Sequence, residues 1–147
     1  MFDEIAGGDD RADAIPIEHG YRLASATLLV EMIRADFHVD AVEERAALDA
    51  LERAFGLSTQ ETANLMEEAR ACADEATSLH EFTALINEQL DTDQKTRIVE
   101  LLWQVAFADG EIDKYEEHLV RKVADLLYVR HGAFIRAKWN AQQNAVR

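Results

Sequence analysis

The residues in this chain best suited to chemistry are carboxylates gathered in two short runs. Asp36, Asp40 and Glu43 form the first, and Asp109, Glu111, Asp113 and Glu116 the second. Carboxylate oxygens are the ligands that Ca2+, Mg2+ and Mn2+ prefer, so either run is a candidate site for a divalent cation. In the second run the alternation Asp109, Glu111, Asp113 imitates the oxygen positions of a calcium loop, and residues 109 to 117 hold five acidic groups against one lysine. It is not an EF-hand. Gly110 stands at the second position, and Glu116 arrives far too early to close a 12-residue loop. In the first run Phe37 and His38 replace Gly110 and Glu111, which makes it the poorer ligand set.

Part of each run has an explanation that needs no ligand. Asp40 and Asp113 are placed to cap the helices that follow them, and Glu43 and Glu116, three residues on, complete Asp-x-x-Glu capping arrangements. Negative charge in a first helical turn is also favoured by the helix dipole. Asp36 and Asp109 are different, because they fall at the C-terminal end of the preceding helix, where the dipole disfavours an anion. Either they accept amide hydrogen bonds that lock the turn, or they join the neighbouring carboxylates around a cation.

The elements that must hold these turns repeat with them. At an offset of 73 positions, Leu28, Leu29, Ala35, Asp36, Asp40, Glu43 and Glu44 fall on Leu101, Leu102, Ala108, Asp109, Asp113, Glu116 and Glu117, seven identities in a 17-residue window. Such an ungapped match points to a duplicated helix-turn-helix unit, spanning about residues 20–57 and 93–130. Apolar residues recur at helical spacing from Ile17 to Asp36, with Leu23, Ala26, Val30 and Ile33 inward. A second helix is expected over Ala41 to Phe55, closed by Gly56 as a left-handed cap. Ser58 with Glu61 and Ser78 with Glu81 are capping boxes that open a third and a fourth helix, and Asp91 can cap a fifth. Residues 98–108 of that fifth helix are apolar almost all round, as expected of the buried central helix. A sixth is expected over Lys114 to Tyr128 and a seventh from about Gly132, with Phe134, Ile135 and Trp139 facing inward. Trp103, Phe107, Tyr115 and Tyr128 fall at core spacing as well. Residues 1–16, with Gly7, Gly8 and five aspartates or glutamates among their polar positions, read as a mobile leader.

The twin patterns Leu-Leu-x5-Ala-Asp-x3-Asp-x2-Glu, in an all-helical chain of 147 residues, resemble the TerB-like domain of bacterial tellurite-resistance proteins. A related domain stands at the N-terminus of membrane-anchored J-domain co-chaperones. The resemblance covers about residues 20–140, and its most specific stretch is Ala-Asp-Gly-Glu-Ile-Asp-x-x-Glu at 108–116. It implies a duplicated fold of seven or eight helices and an acidic metal site at Asp36, Asp40, Glu43, Asp109, Asp113 and Glu116. Phe37 departs from the usual Ala-Asp-Gly pattern, and no reaction is implied.

Composition narrows the function further. With 29 acidic against 15 basic residues the net charge is −14, which argues against nucleic acid or an anionic membrane as partner. One proline and six glycines suit an all-α protein rather than a sandwich or barrel. Cys72 is the single cysteine, so there is no disulfide framework, and a reducing cytoplasm is the expected compartment. Its acidic helical surroundings should raise the thiol pKa, which suits inert packing better than nucleophilic catalysis. His19, His38, His80, His118 and His131 are scattered without zinc spacing. The expected protein is therefore a single all-α domain of about seven helices over residues 17–147, non-enzymatic and without membrane insertion. It is read as a TerB-like stress-associated module that binds Ca2+, Mn2+ or Mg2+ through its acidic turns; alternatively it is an adaptor for an unidentified protein partner, its acidic turns being structural caps.

Overall fold

A computed structural model of the protein describes residues 17–35, 41–75, 78–108, 112 and 114–145. They form seven helices, α1 (Ile17–Ala35), α2 (Ala41–Phe55), α3 (Thr59–Glu75), α4 (Leu79–Gln89), α5 (Thr92–Ala106), α6 (Lys114–Leu126) and α7 (His131–Ala145). There is no strand among the described residues. The all-α, single-domain expectation holds. Residues 1–16, read from sequence as a leader, lie outside the described residues.

Local chemistry sets most of the boundaries. Ser58 Oγ accepts from the Glu61 amide at 3.1 Å while the Ser58 amide donates to Glu61 Oε1 at 2.8 Å, so both halves of the capping box are made at the start of α3. Ser78 Oγ accepts from the Glu81 amide at 3.1 Å at the start of α4. Asp91 caps α5 as expected and does so within a full box, its Oδ1 accepting from the Gln94 amide and its own amide donating to Gln94 Oε1. At the other end of α2, Gly56 adopts φ 64°, and the Leu57 amide donates back to the Glu52 carbonyl. This is the left-handed cap that the glycine foretold.

The core corrects three expectations. First, α5 does not occupy the centre alone. Its Ile98, Val99, Leu101, Leu102, Trp103, Val105 and Ala106 are buried, yet α1 is buried without interruption from Leu23 to Val30. The two helices pack against each other; α3 covers α1, α7 covers α5, and α2 and α6 each cross to the other central helix. Second, Tyr115 and Tyr128 are 54% and 78% exposed rather than core. Tyr128 lies beyond α6, which ends at Leu126; there the Tyr128 amide donates to the Asp125 carbonyl and the Val129 amide to Ala124, a Schellman closure with Tyr128 at φ 60°. Third, α7 turns Phe134 and Ala137 inward but leaves Ile135 and Trp139 at the surface. Phe134 meets the Trp103 ring at 5.5 Å, and Ile135, one residue or 100° further round, necessarily faces away.

Three buried hydroxyls are satisfied by carbonyls one turn back, whereas the buried Thr27 Oγ1 has no hydrogen-bond partner among the described residues. Ser25 donates to the Tyr21 carbonyl, Thr62 to Ser58 and Thr83 to Leu79. Among the described residues no helix is long and apolar enough to cross a membrane.

Candidate functional site

The two acidic turns join α1 to α2 and α5 to α6. Helix α2 begins at Ala41 and α6 at Lys114, each one residue after its candidate capping aspartate and at the 73-residue offset of the repeat. Asp36, Asp40, Asp109, Glu111 and Asp113 themselves lie outside the described residues. Of the seven candidate ligands, Glu43 and Glu116 are placed.

Both are buried. Glu43 retains 1% and Glu116 0% of its accessible surface, which puts them among the largest fully enclosed side chains of the protein. A glutamate serving only as a surface capping partner looks different here: Glu61 completes its box while exposed. Taking a carboxylate out of water is costly unless donors or a cation meet it, so burial in both copies is the feature of the site that most needs a cause. Helix geometry delivers it. Glu43 sits one turn before Ala47 and two before Ala50 and Leu51, and Glu116 sits one turn before Val120 and two before Val123 and Ala124. Each glutamate is thus the first member of its helix's inward stripe.

The second glutamate of each pair does another job. Glu44 accepts from Arg70 on α3 at 2.8 Å, and Glu117 lies 3.8 Å from Lys138 on α7 and 3.6 Å from Arg121. A hundred degrees further round the helix than the buried glutamates, these carboxylates fasten α2 to α3 and α6 to α7 at the surface. The sequence repeat shows the Glu-Glu pairs but not this division of labour. The signal was present nonetheless, because only Glu43 and Glu116 align with the apolar positions four, seven and eight residues downstream.

Other candidate groups stay apart from these turns. Among the described residues no set of three or more His, Cys, Asp or Glu side chains is placed to hold a metal ion. His19 contacts Glu68 on α3 at 3.1 Å, and His80, His118 and His131 are exposed on three different helices; His38 lies outside the described residues. Burial, together with Glu68 and Glu75, raises the Cys72 thiol pKa, in the direction the sequence suggested. A small apolar groove of about 50 Å3 between α1 and α4 is lined by Gly20, Leu23, Phe82, Leu85, Ile86 and Leu90 among others, and brings no ionisable group with it.

Comparison with known proteins agrees with the pattern of the turns. A family model described as tellurite resistance protein TerB matches residues 22–139, a span that includes both turns and both buried glutamates. No curated protein and no solved structure matches the chain.

Proposed function

The chain belongs to the TerB family of tellurite resistance proteins, and from that premise we propose that it is a non-enzymatic, cytoplasmic, stress-associated module that binds a divalent cation through its acidic turns. The ligands would come from Asp36, Asp40 and Glu43 in the first turn and from Asp109, Glu111, Asp113 and Glu116 in the second. A bound cation would supply charge compensation in this dense group of carboxylates.

The observation that supports this reading is the burial of Glu43 and Glu116 at equivalent places. Each lies in the first turn of a helix, next to sequence dense in further carboxylates, and each is an all-oxygen donor of the kind hard cations select. The second turn is the stronger candidate because Glu111 adds a carboxylate where the first turn has His38.

Thermal unfolding with and without millimolar Ca2+, Mn2+ or Mg2+ tests the reading. A ligand selective for the folded state stabilises it by RT ln(1 + [L]/Kd), about 2.7 kcal/mol at a hundredfold excess over Kd. At least one of the metals should raise Tm by several degrees, and Asp109→Asn and Glu116→Gln should each abolish the rise. Absence of a shift with all three metals would sink the proposal.

The adaptor reading is favoured by a separate observation: Val42 and Tyr115, the residues immediately before the two buried glutamates, are 52% and 54% exposed. Two apolar side chains beside acidic turns would suit a protein contact. On that reading Asp109→Asn lowers Tm equally in the presence and absence of metal.

A further inference from the structure

The last 20 residues of the chain differ in character from everything before them. All 29 acidic residues precede position 126, whereas residues 128–147 carry Arg130, Arg136, Lys138 and Arg147 and no carboxylate side chain. Lys138 is committed to the fold, with Nζ 5.1 Å from the Trp103 ring centre and 3.8 Å from Glu117. Arg130 and Arg136 are exposed and form no ion pair among the described residues.

Exposed apolar surface is concentrated in the same segment. Tyr128, Ile135 and Trp139 are 78%, 47% and 58% exposed. Ile135 and Trp139 are one turn apart on α7, on a face completed by the exposed Gly132, Arg136 and Gln143, while Phe134, Ala137 and Ala141 of the opposite face are buried. Tyr128 adds a conformational observation. It holds the left-handed φ of 60° that α2 assigns to Gly56, yet its ring makes no hydrogen bond or ring contact among the described residues. A side chain kept at backbone cost without a hydrogen bond or ring contact in the fold is a candidate for use outside it.

We propose that the outer face of α7, approached through Tyr128 and Arg130, docks an acidic amphipathic helix of a partner protein. The partner's apolar stripe seats on Ile135 and Trp139, and its carboxylates meet Arg130 and Arg136. Aromatic and arginine side chains together are the usual anchors of such a contact. Charge selects this occupant over the others. An extended anionic bilayer would also face the acidic remainder of a chain of net charge −14, whereas one short helix can lie along the carboxylate-free segment, and a basic partner would be drawn to any other face. Two copies paired symmetrically through α7 would bring two carboxylate-free segments together and leave their arginines without acidic partners.

The test uses the full chain and a labelled designed helix of about five turns, leucine on one face and glutamate on the other, with a lysine-faced peptide as control. Fluorescence anisotropy should show saturable binding of the glutamate peptide, at least tenfold weaker binding of the lysine peptide, and weakening with salt. Trp139→Ala and Arg136→Glu should each reduce affinity by tenfold or more. Tyr128→Gly should also weaken binding while raising Tm, a combination that loss of folding cannot produce. No saturable binding, equal binding of the two peptides, or indifference to all three substitutions would overturn the proposal. So would a concentration-dependent dimer lost in Trp139→Ala, which would give the face to a second copy, or binding confined to anionic vesicles.

Discussion

Tyr128 is the one non-glycine residue with positive φ among those described. Left-handed backbone costs an L-residue with a β-carbon about 1–2 kcal/mol, and a glycine is free of that cost although it gives up more entropy on folding. Tyr128→Gly is therefore expected to stabilise the protein by up to about 1 kcal/mol, a rise in Tm of roughly 2–4 °C for a chain of this size. Calorimetry at neutral pH checks it, and an unchanged or lower Tm would mean that the exposed ring contributes to the fold. Cys72 offers a second test at this scale. Burial and the neighbouring Glu68 and Glu75 all disfavour its thiolate. It should react with a disulfide reagent at neutral pH much more slowly than free cysteine, and the rate should rise steeply as pH increases; a fast reaction at neutral pH would show an activated thiol instead.

The helix starts are where sequence and structure agree most closely, because a start depends on a few adjacent atoms. Ser58, Ser78 and Asp91 could be read as caps from three or four residues of local pattern, and each makes its expected bond. Asp91→Ala should then cost about 1 kcal/mol, measured by urea unfolding, through the α5 amide it leaves without its acceptor. Glu61 supplies a pH test. The Ser58 amide and hydroxyl hold its carboxyl below the usual 4.5. A carboxyl depressed on folding adds stability that is fully present above the unfolded value and is lost as pH falls through the folded one. The Tm difference between Glu61→Gln and the parent should accordingly be present at neutral pH and shrink as pH drops below 4.5; a difference that persists in acid would place the effect elsewhere. Which face of a helix is buried was harder to read, since it depends on neighbours remote in sequence. Ile135 and Trp139 look as apolar as Phe134, and only the position of Trp103 on α5 decides that Phe134 turns inward. The candidate site divides in the same way. The carboxylates could be listed from the repeat, whereas the burial of Glu43 and Glu116 follows from how α2 and α6 lie on the central helices.

At the scale of the whole molecule, two buried helices share the core, and each carries its own outer layer: α3 lies on α1, and α7 lies on α5. Trp103 joins the second of these layers. It is wholly buried, stacks on Phe107 at 5.7 Å, meets Phe134 at 5.5 Å and supports the Lys138 ammonium on its face. Its indole Nε1 nevertheless has no hydrogen-bond acceptor among the described residues. Two opposed effects therefore meet at one side chain. Removing the ring entirely in Trp103→Ala opens a cavity under α7 and should cost about 3–5 kcal/mol. Trp103→Phe keeps an aromatic surface for Phe134 and Lys138 while deleting a buried donor whose unsatisfied state costs about 1–3 kcal/mol, an amount that offsets much of the lost volume. The phenylalanine variant should consequently fall within about 1 kcal/mol of the parent in chemical unfolding, far above the alanine variant. Equal destabilisation by the two would show that the indole N–H is satisfied in solution and that it, rather than ring packing, holds α7 on the core.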